Sequence, residues 1–226
     1  MQQLIFVFFL VYFSVISFSQ NERSIQFVPV FQGKKVELSK KYESDGNWIQ
    51  FESLRFYVST VSISGEKSTW QDPNGAHLID LEDSLSLFIS HDAKNGNRLT
   101  FNIGLDSSTN VSGIMDGDLD PIKGMYWAWN TGYINFKLEG FSSESMLPDK
   151  HFEFHLGGYL FPNATIQAVE IPLDSWQDRI VVELELGKLL PNLPWQSTPS
   201  ILIPGKDAVK ISKILPTLFQ LPSDEK

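Results

Sequence analysis

Three stretches of this chain hold residue types whose spacing could do chemistry. The first is His151-Phe152-Glu153-Phe154-His155. Alternate residues of a strand share a face, so Phe152, Phe154 and Leu156 would turn to a core and His151, Glu153 and His155 away from it. Imidazoles so placed could share a metal ion, and imidazole suits copper and zinc. The plainer reading is a pair of solvated histidines. The second stretch, Gly124-Met125-Tyr126-Trp127-Ala128-Trp129, puts Trp127 and Trp129 on one side if it is extended. Paired indoles most often serve as a packing cluster. The third, Asp116-Gly117-Asp118-Leu119-Asp120-Pro121, resembles half of a calcium loop. No glutamate follows at the spacing such a loop needs, so it reads as a polar turn. His77 and His91 lie near turn signals and say little individually. A Gly-x-Ser-x-Gly elbow, a phosphate-cradling glycine loop and a His-Glu-x-x-His pair are all absent from the sequence. The expectation is a binding protein with no turnover chemistry of its own.

The elements that must position these residues are strands. Leu99, Phe101, Ile103 and Leu105 alternate with polar neighbours, as do Leu85, Leu87 and Ile89. The same period runs through Ile134, Phe136 and Leu138, through Phe152, Phe154 and Leu156, and through Ile180, Val182, Leu184 and Leu186. Between Trp48 and Ile63 the apolar parity switches, which predicts a β-bulge near Ser59-Thr60. Pro29 assigns the segment from Ile25 to Phe31 to a sheet edge or a bulge. Turn signals such as Asp72-Pro73-Asn74-Gly75 separate the runs. The predicted fold is all-β, an antiparallel β-sandwich with a short C-terminal helix. That helix is read from Ala208, Ile211, Ile214, Leu215 and Leu218, with Pro216 ending or kinking it. The proline-rich stretch before it, Pro191 to Pro204, reads as an extended tether.

Bulk composition narrows the setting. Residues Leu4 to Phe18 are almost wholly apolar and carry no charge. A run of about 15 residues is short for a membrane span and suits the core of a signal peptide. Ser17-Phe18-Ser19 supplies a small-x-small cleavage pattern, so residues 1–19 are expected to be a signal peptide and 20–226 a single domain. The mature protein is then periplasmic or secreted, and not an integral membrane protein. With 27 acidic and 18 basic residues and a net charge of -9, it is unsuited to nucleic acid, whose phosphates demand basic surface. The absence of cysteine leaves stability to the core and removes thiolate from the available metal ligands.

Taken in order, several segments resemble the MbnP-like family of periplasmic copper-binding proteins. They include Leu54-Arg55-Phe56-Tyr57-Val58-Ser59, His77-Leu78-Ile79-Asp80, Phe101-Asn102-Ile103-Gly104-Leu105-Asp106 and Gly117-Asp118-Leu119-Asp120-Pro121. Met125-Tyr126-Trp127-Ala128-Trp129, Phe136-Lys137-Leu138-Glu139-Gly140 and Phe154-His155-Leu156-Gly157 complete the likeness. The resemblance implies a β-sandwich that holds Cu(I) with histidine and with a kynurenine made from tryptophan. It also implies a diheme, peroxidase-like partner enzyme that makes the kynurenine. Carried over by residue, it makes His155 the leading ligand and one of Trp127 and Trp129 the modified position. His151, from strand geometry, and His77, from its family-like segment, compete for a second histidine. The alternative is a metal-free β-sandwich module that binds sugar or protein through its tryptophan-rich edge.

Overall fold

The computed structural model describes residues 23–44, 46–129 and 132–223; the segment expected to be a signal peptide lies outside them. Strands dominate in chain order: β1 (Ser24–Phe31), β2 (Lys34–Lys35), β3 (Lys41–Ser44), β4 (Asn47–Ser64), β5 (Thr69–Gln71), β6 (Ala76–Asp80), β7 (Phe88–Ser90) and β8 (Arg98–Ile103). A short helix, α1 (Ser107–Val111), precedes β9 (Tyr126–Trp127), β10 (Gly132–Ser142), β11 (His151–Gly157), β12 (Gln167–Pro172), β13 (Arg179–Glu185) and β14 (Ser200–Ile201). Then come α2 (Lys206–Ser212) and β15 (Phe219–Gln220).

These strands form two sheets. One contains β15, β13, β1 and β2, with β7 also paired to β1. The other is organised by the 18-residue β4, which pairs with β3, β5, β6, β8 and β10. Phenylalanines from both sheets fill the space between them. Phe27 of β1 meets Phe101 of β8 at 5.5 Å and Phe56 of β4 at 6.0 Å, both edge to face. Burial of the alternating residues explains β8, β11 and β13 directly. In β10 the register shifts between Ile134 and Phe136, so Ile134 does not join Phe136 and Leu138 in the main core as its spacing suggests. The bulge in β4 falls where the parity predicts it. Register shifts between Ser59 and Ser62, and Thr60 takes a positive φ of 52°.

Several expectations are corrected. β1 is flanked on both sides, in parallel by β13 and antiparallel by β7 and β2, so it is not an edge. The Phe27 N–H donates to Leu87 O at 2.9 Å. Two residues on, Pro29 N points the same way, into the interval between β7 and β2, where a missing donor costs little. The β1–β13 and β11–β14 pairs are parallel, within an otherwise antiparallel all-β fold. Leu85 is 82% exposed, because only Phe88–Ser90 of its apparent run pairs as strand. The Pro191–Pro204 stretch is no tether. Its Trp195 is buried edge-on against Phe152 and Phe154, and the indole N–H donates to Leu190 O at 3.0 Å. The C-terminal helix forms, but it is interrupted after Ser212 and resumes as a 3-10 turn over Leu215–Leu218.

A second, smaller apolar cluster lies on the outside of the large sheet. It holds Tyr57, Leu78, Leu105, Met125, Trp127, Tyr133 and Ile134. The segment from α1 to β9 folds over these residues. Asp118 pins it down: its carboxylate accepts from Leu78 N–H at 3.1 Å and pairs with Lys123 Nζ at 2.7 Å. The Asp-Gly-Asp motif is therefore a fastening turn, as its sequence suggests.

Candidate metal centre

β10 and β11 pair antiparallel with Glu139 opposite Glu153, Lys137 opposite His155 and Phe141 opposite His151. Phe136, Leu138, Phe152, Phe154 and Leu156 point into the sandwich and are fully buried. Their intervening neighbours project from the outer face, as the alternation requires. One donor atom each from Glu139, Glu153 and His155 lies within 4.8 Å of the others.

The electrostatics of this trio are set by its neighbours. His155 Nε2 sits 2.6 Å from Glu139 Oε1, and Lys137 Nζ lies 3.2 Å from the same oxygen. Burial pushes the Glu139 carboxyl up, but the imidazole hydrogen bond and the Lys137 ammonium together outweigh it and hold the group down at about 2. Glu139 is therefore an anion throughout the neutral range. Glu153 Oε2 accepts a longer hydrogen bond from Ser200 Oγ of β14 at 3.4 Å. In the neutral imidazole the nitrogen facing a carboxylate carries the proton, so Nε2 donates to Glu139 and Nδ1 is left with its lone pair. Metal bound at Nδ1 would keep the carboxylate contact; metal at Nε2 would replace it.

The next outward position on β11 after His155 is Gly157, about 7 Å further along the strand. A Cβ there would stand 2.6 Å from Trp127 Cζ3, 2.8 Å from its Cη2 and 2.7 Å from Tyr133 O. The benzenoid edge of Trp127 thus rests on the backbone at Gly157, where a side chain has no room. β9 delivers Trp127 by pairing with Gly132 and Tyr133 at the start of β10. The strand ends at Trp127, and Trp129 lies in the following turn rather than on the same strand face. The indoles nevertheless remain together, with centroids 5.7 Å apart and planes tilted by 41°. Trp127 is buried and Trp129 is 63% exposed.

A family model for MbnP matches residues 20–203. The chain belongs to the MbnP family. A solved structure described as MbnP from Methylosinus trichosporium matches with a TM-score of 0.53 at 16% identity, covering 74% of this chain and 76% of that one. At that identity the likeness speaks for the fold. No curated protein matches. Within this MbnP-family chain, the Trp-x-Trp and His-Leu-Gly segments, remote in sequence, meet where Trp127 packs on Gly157.

The remaining histidines are not gathered there. His151 shares the outer face of β11, but its ring lies against Phe141 with centroids 5.4 Å apart. His77 pairs with Val58 of β4 and has the parity of Ile79, both core-facing positions, so it occupies the opposite side of the sheet from His155. Its Nε2 lies 2.8 Å from Asp72 Oδ2. His91 is buried between Trp70 and Trp176, at centroid distances of 5.7 and 5.8 Å. Neither of its ring nitrogens has a hydrogen-bond partner among the described residues. Burial, with Arg23 second, lowers its pKa and favours the neutral ring. The donor that sequence reading overlooked is Glu139. It lies in a family-like segment, but only the β10–β11 register places it against His155.

Proposed function

We propose that this MbnP-family chain is an exported copper-binding protein that acquires or handles Cu(I) and catalyses no turnover of its own. His155 is the principal protein ligand, and a kynurenine derived from Trp127 or Trp129 supplies a second nitrogen donor. The observation that carries this reading is the seating of Trp127 on Gly157, one outward position from His155. The donor set supports a copper ligand role for His155: imidazole is compatible with Cu(I), and thiolate is absent from the chain. The two carboxylates are hard ligands and contribute little to Cu(I). A softer nitrogen close to His155 is what the geometry would need, and ring-opening an adjacent indole exposes an aromatic amine.

Kynurenine formation cleaves the indole C2–C3 bond and releases the excised carbon as formate, which consumes two equivalents of peroxide, and a diheme, peroxidase-like enzyme is the partner proposed for it. Trp129, exposed at the edge of the pair, offers such a partner an entry point. Export rests on the apolar N-terminal segment. Among the described residues, no helix is long and apolar enough to cross a membrane.

The test combines mass spectrometry with copper titration on protein made alongside its native oxidising partner. One tryptophan among residues 127 and 129 should lose a ring carbon and gain an oxygen, and that material should bind Cu(I) tightly. Protein made alone should stay unmodified and bind weakly. Unmodified tryptophans together with tight Cu(I) binding would refute the kynurenine. Unmodified tryptophans with no copper binding would favour a metal-free interaction module, which the exposure of Trp129 also suits.

A further inference from the structure

The Glu139, Glu153 and His155 donors do not resemble a site for a soft monovalent ion. They comprise two carboxylates and one imidazole, carried on adjacent strands and projecting to one face. Their separations let one ion reach all three. The cluster differs from an ordinary surface group of acids in two ways. It includes an imidazole nitrogen that converges on the same point, and its members are held by a paired β-sheet rather than by a loop. His155 is only 13% exposed and Glu139 21%, so neither is free to swing into solvent.

We infer that Glu139, Glu153 and His155 form a site for a borderline divalent cation, Cu(II) ahead of Zn(II), with Lys137 as the resident counter-ion that the metal displaces. Mixed carboxylate and imidazole donors suit these ions, and the order of divalent affinities for such a set rises to Cu(II) and falls again at Zn(II). Lys137 Nζ lies 3.2 Å from Glu139 Oε1, where it partly neutralises that carboxylate. A bound dication performs the same neutralisation with shorter, directed bonds, and water completes its coordination on the solvent side. The His155 ring uses Nε2 here, the nitrogen that now faces Glu139. His155 can therefore serve two oxidation states, with the carboxylates for Cu(II) and with the tryptophan-derived donor for Cu(I). The divalent site does not depend on the kynurenine, so it can be tested without it.

The experiment uses the mature chain expressed alone, with unmodified tryptophans, titrated with Cu(II) and Zn(II) and followed by calorimetry and electron paramagnetic resonance. Wild-type protein should bind one Cu(II) more tightly than Zn(II), with a tetragonal spectrum showing a single imidazole nitrogen. The double variant Glu139→Gln, Glu153→Gln keeps the side-chain shapes and should weaken Cu(II) binding beyond the about 10–100-fold typical of groups that merely orient a ligand. Lys137→Met should tighten it. His155→Ala should weaken Cu(II) binding by the chain expressed alone and Cu(I) binding by natively matured protein alike. Thermal melts of each variant confirm that the fold is kept. Failure to bind Cu(II) stoichiometrically, or equal Cu(II) affinity in wild type and the double variant, would overturn the divalent site and leave the Cu(I) reading standing.

Discussion

The two faces of β10 and β11 are built from the same residues in alternation, yet they do different work. The inner face presents Phe136, Leu138, Phe152, Phe154 and Leu156, all buried in the main core. The outer face presents Lys137, Glu139, His151, Glu153 and His155 and ends at the Gly157 seat for Trp127. Core packing therefore occupies one side, and the ligand chemistry proposed above would occupy the other. A change confined to the outer face should alter binding without unfolding the sandwich, and the reverse should hold for the inner face.

The strongest challenge to that division is Phe154→Ala. Emptying a large, fully buried site should cost about 3–5 kcal/mol, measured by urea unfolding. Outer-face Glu153→Ala, in the same strand, should stay within about 0.5 kcal/mol. Comparable losses for the two would erase the distinction between faces.

Gly157→Ala tests the place on the outer face where packing and the candidate site meet. Its methyl would collide with the Trp127 ring and with Tyr133 O, so the indole must move or the strand must shift. Overpacking of this kind should cost about 1–3 kcal/mol. It should also lower copper affinity in matured protein even where unfolding shows the fold to be intact. Unchanged stability and affinity would mean that the contact does not position Trp127.

A smaller effect is expected from His91, a buried histidine outside the candidate site. Its folded-state pKa is lowered by burial first and Arg23 second, against weaker opposing effects of Asp178 and Asp92. The unfolded chain then takes up a proton before the folded one does, so its contribution is fully present above the ordinary imidazole range. It is lost as pH falls from that range through the lowered value. Unfolding free energies at about pH 7.5 and about pH 5.5 should show this decline, and His91→Leu should flatten it. An identical slope in the variant would assign the decline to other groups.

How much of this the sequence discloses varies with the kind of information needed. Period-two runs ending in turn signals locate β8, β10, β11 and β13, since burial of alternate residues is a local property. Leu85 misleads because the run joins β1 only from Leu87 onward, and Leu85 sits in the turn before it. The Pro191–Pro204 segment misleads because proline content reports backbone stiffness, whereas Trp195 buried against Phe152 and Phe154 decides where the segment goes. His155 and Glu153 are visible as one strand face. Glu139 joins them only through cross-strand register, and the Trp127–Gly157 contact joins segments about thirty residues apart. His77 looked equivalent to His151 in the sequence, and the parity of β6 against Val58 separates them.

The central claim is that copper binds on the outer face at His155. Competition against a chromophoric Cu(I) chelator, on protein matured with its native oxidising partner, tests it most directly. His155→Ala should lose tight Cu(I) binding, while His77→Ala, on the opposite side of the sheet, should match the wild type. Wild-type affinity in His155→Ala, or equal loss in both variants, would contradict the account.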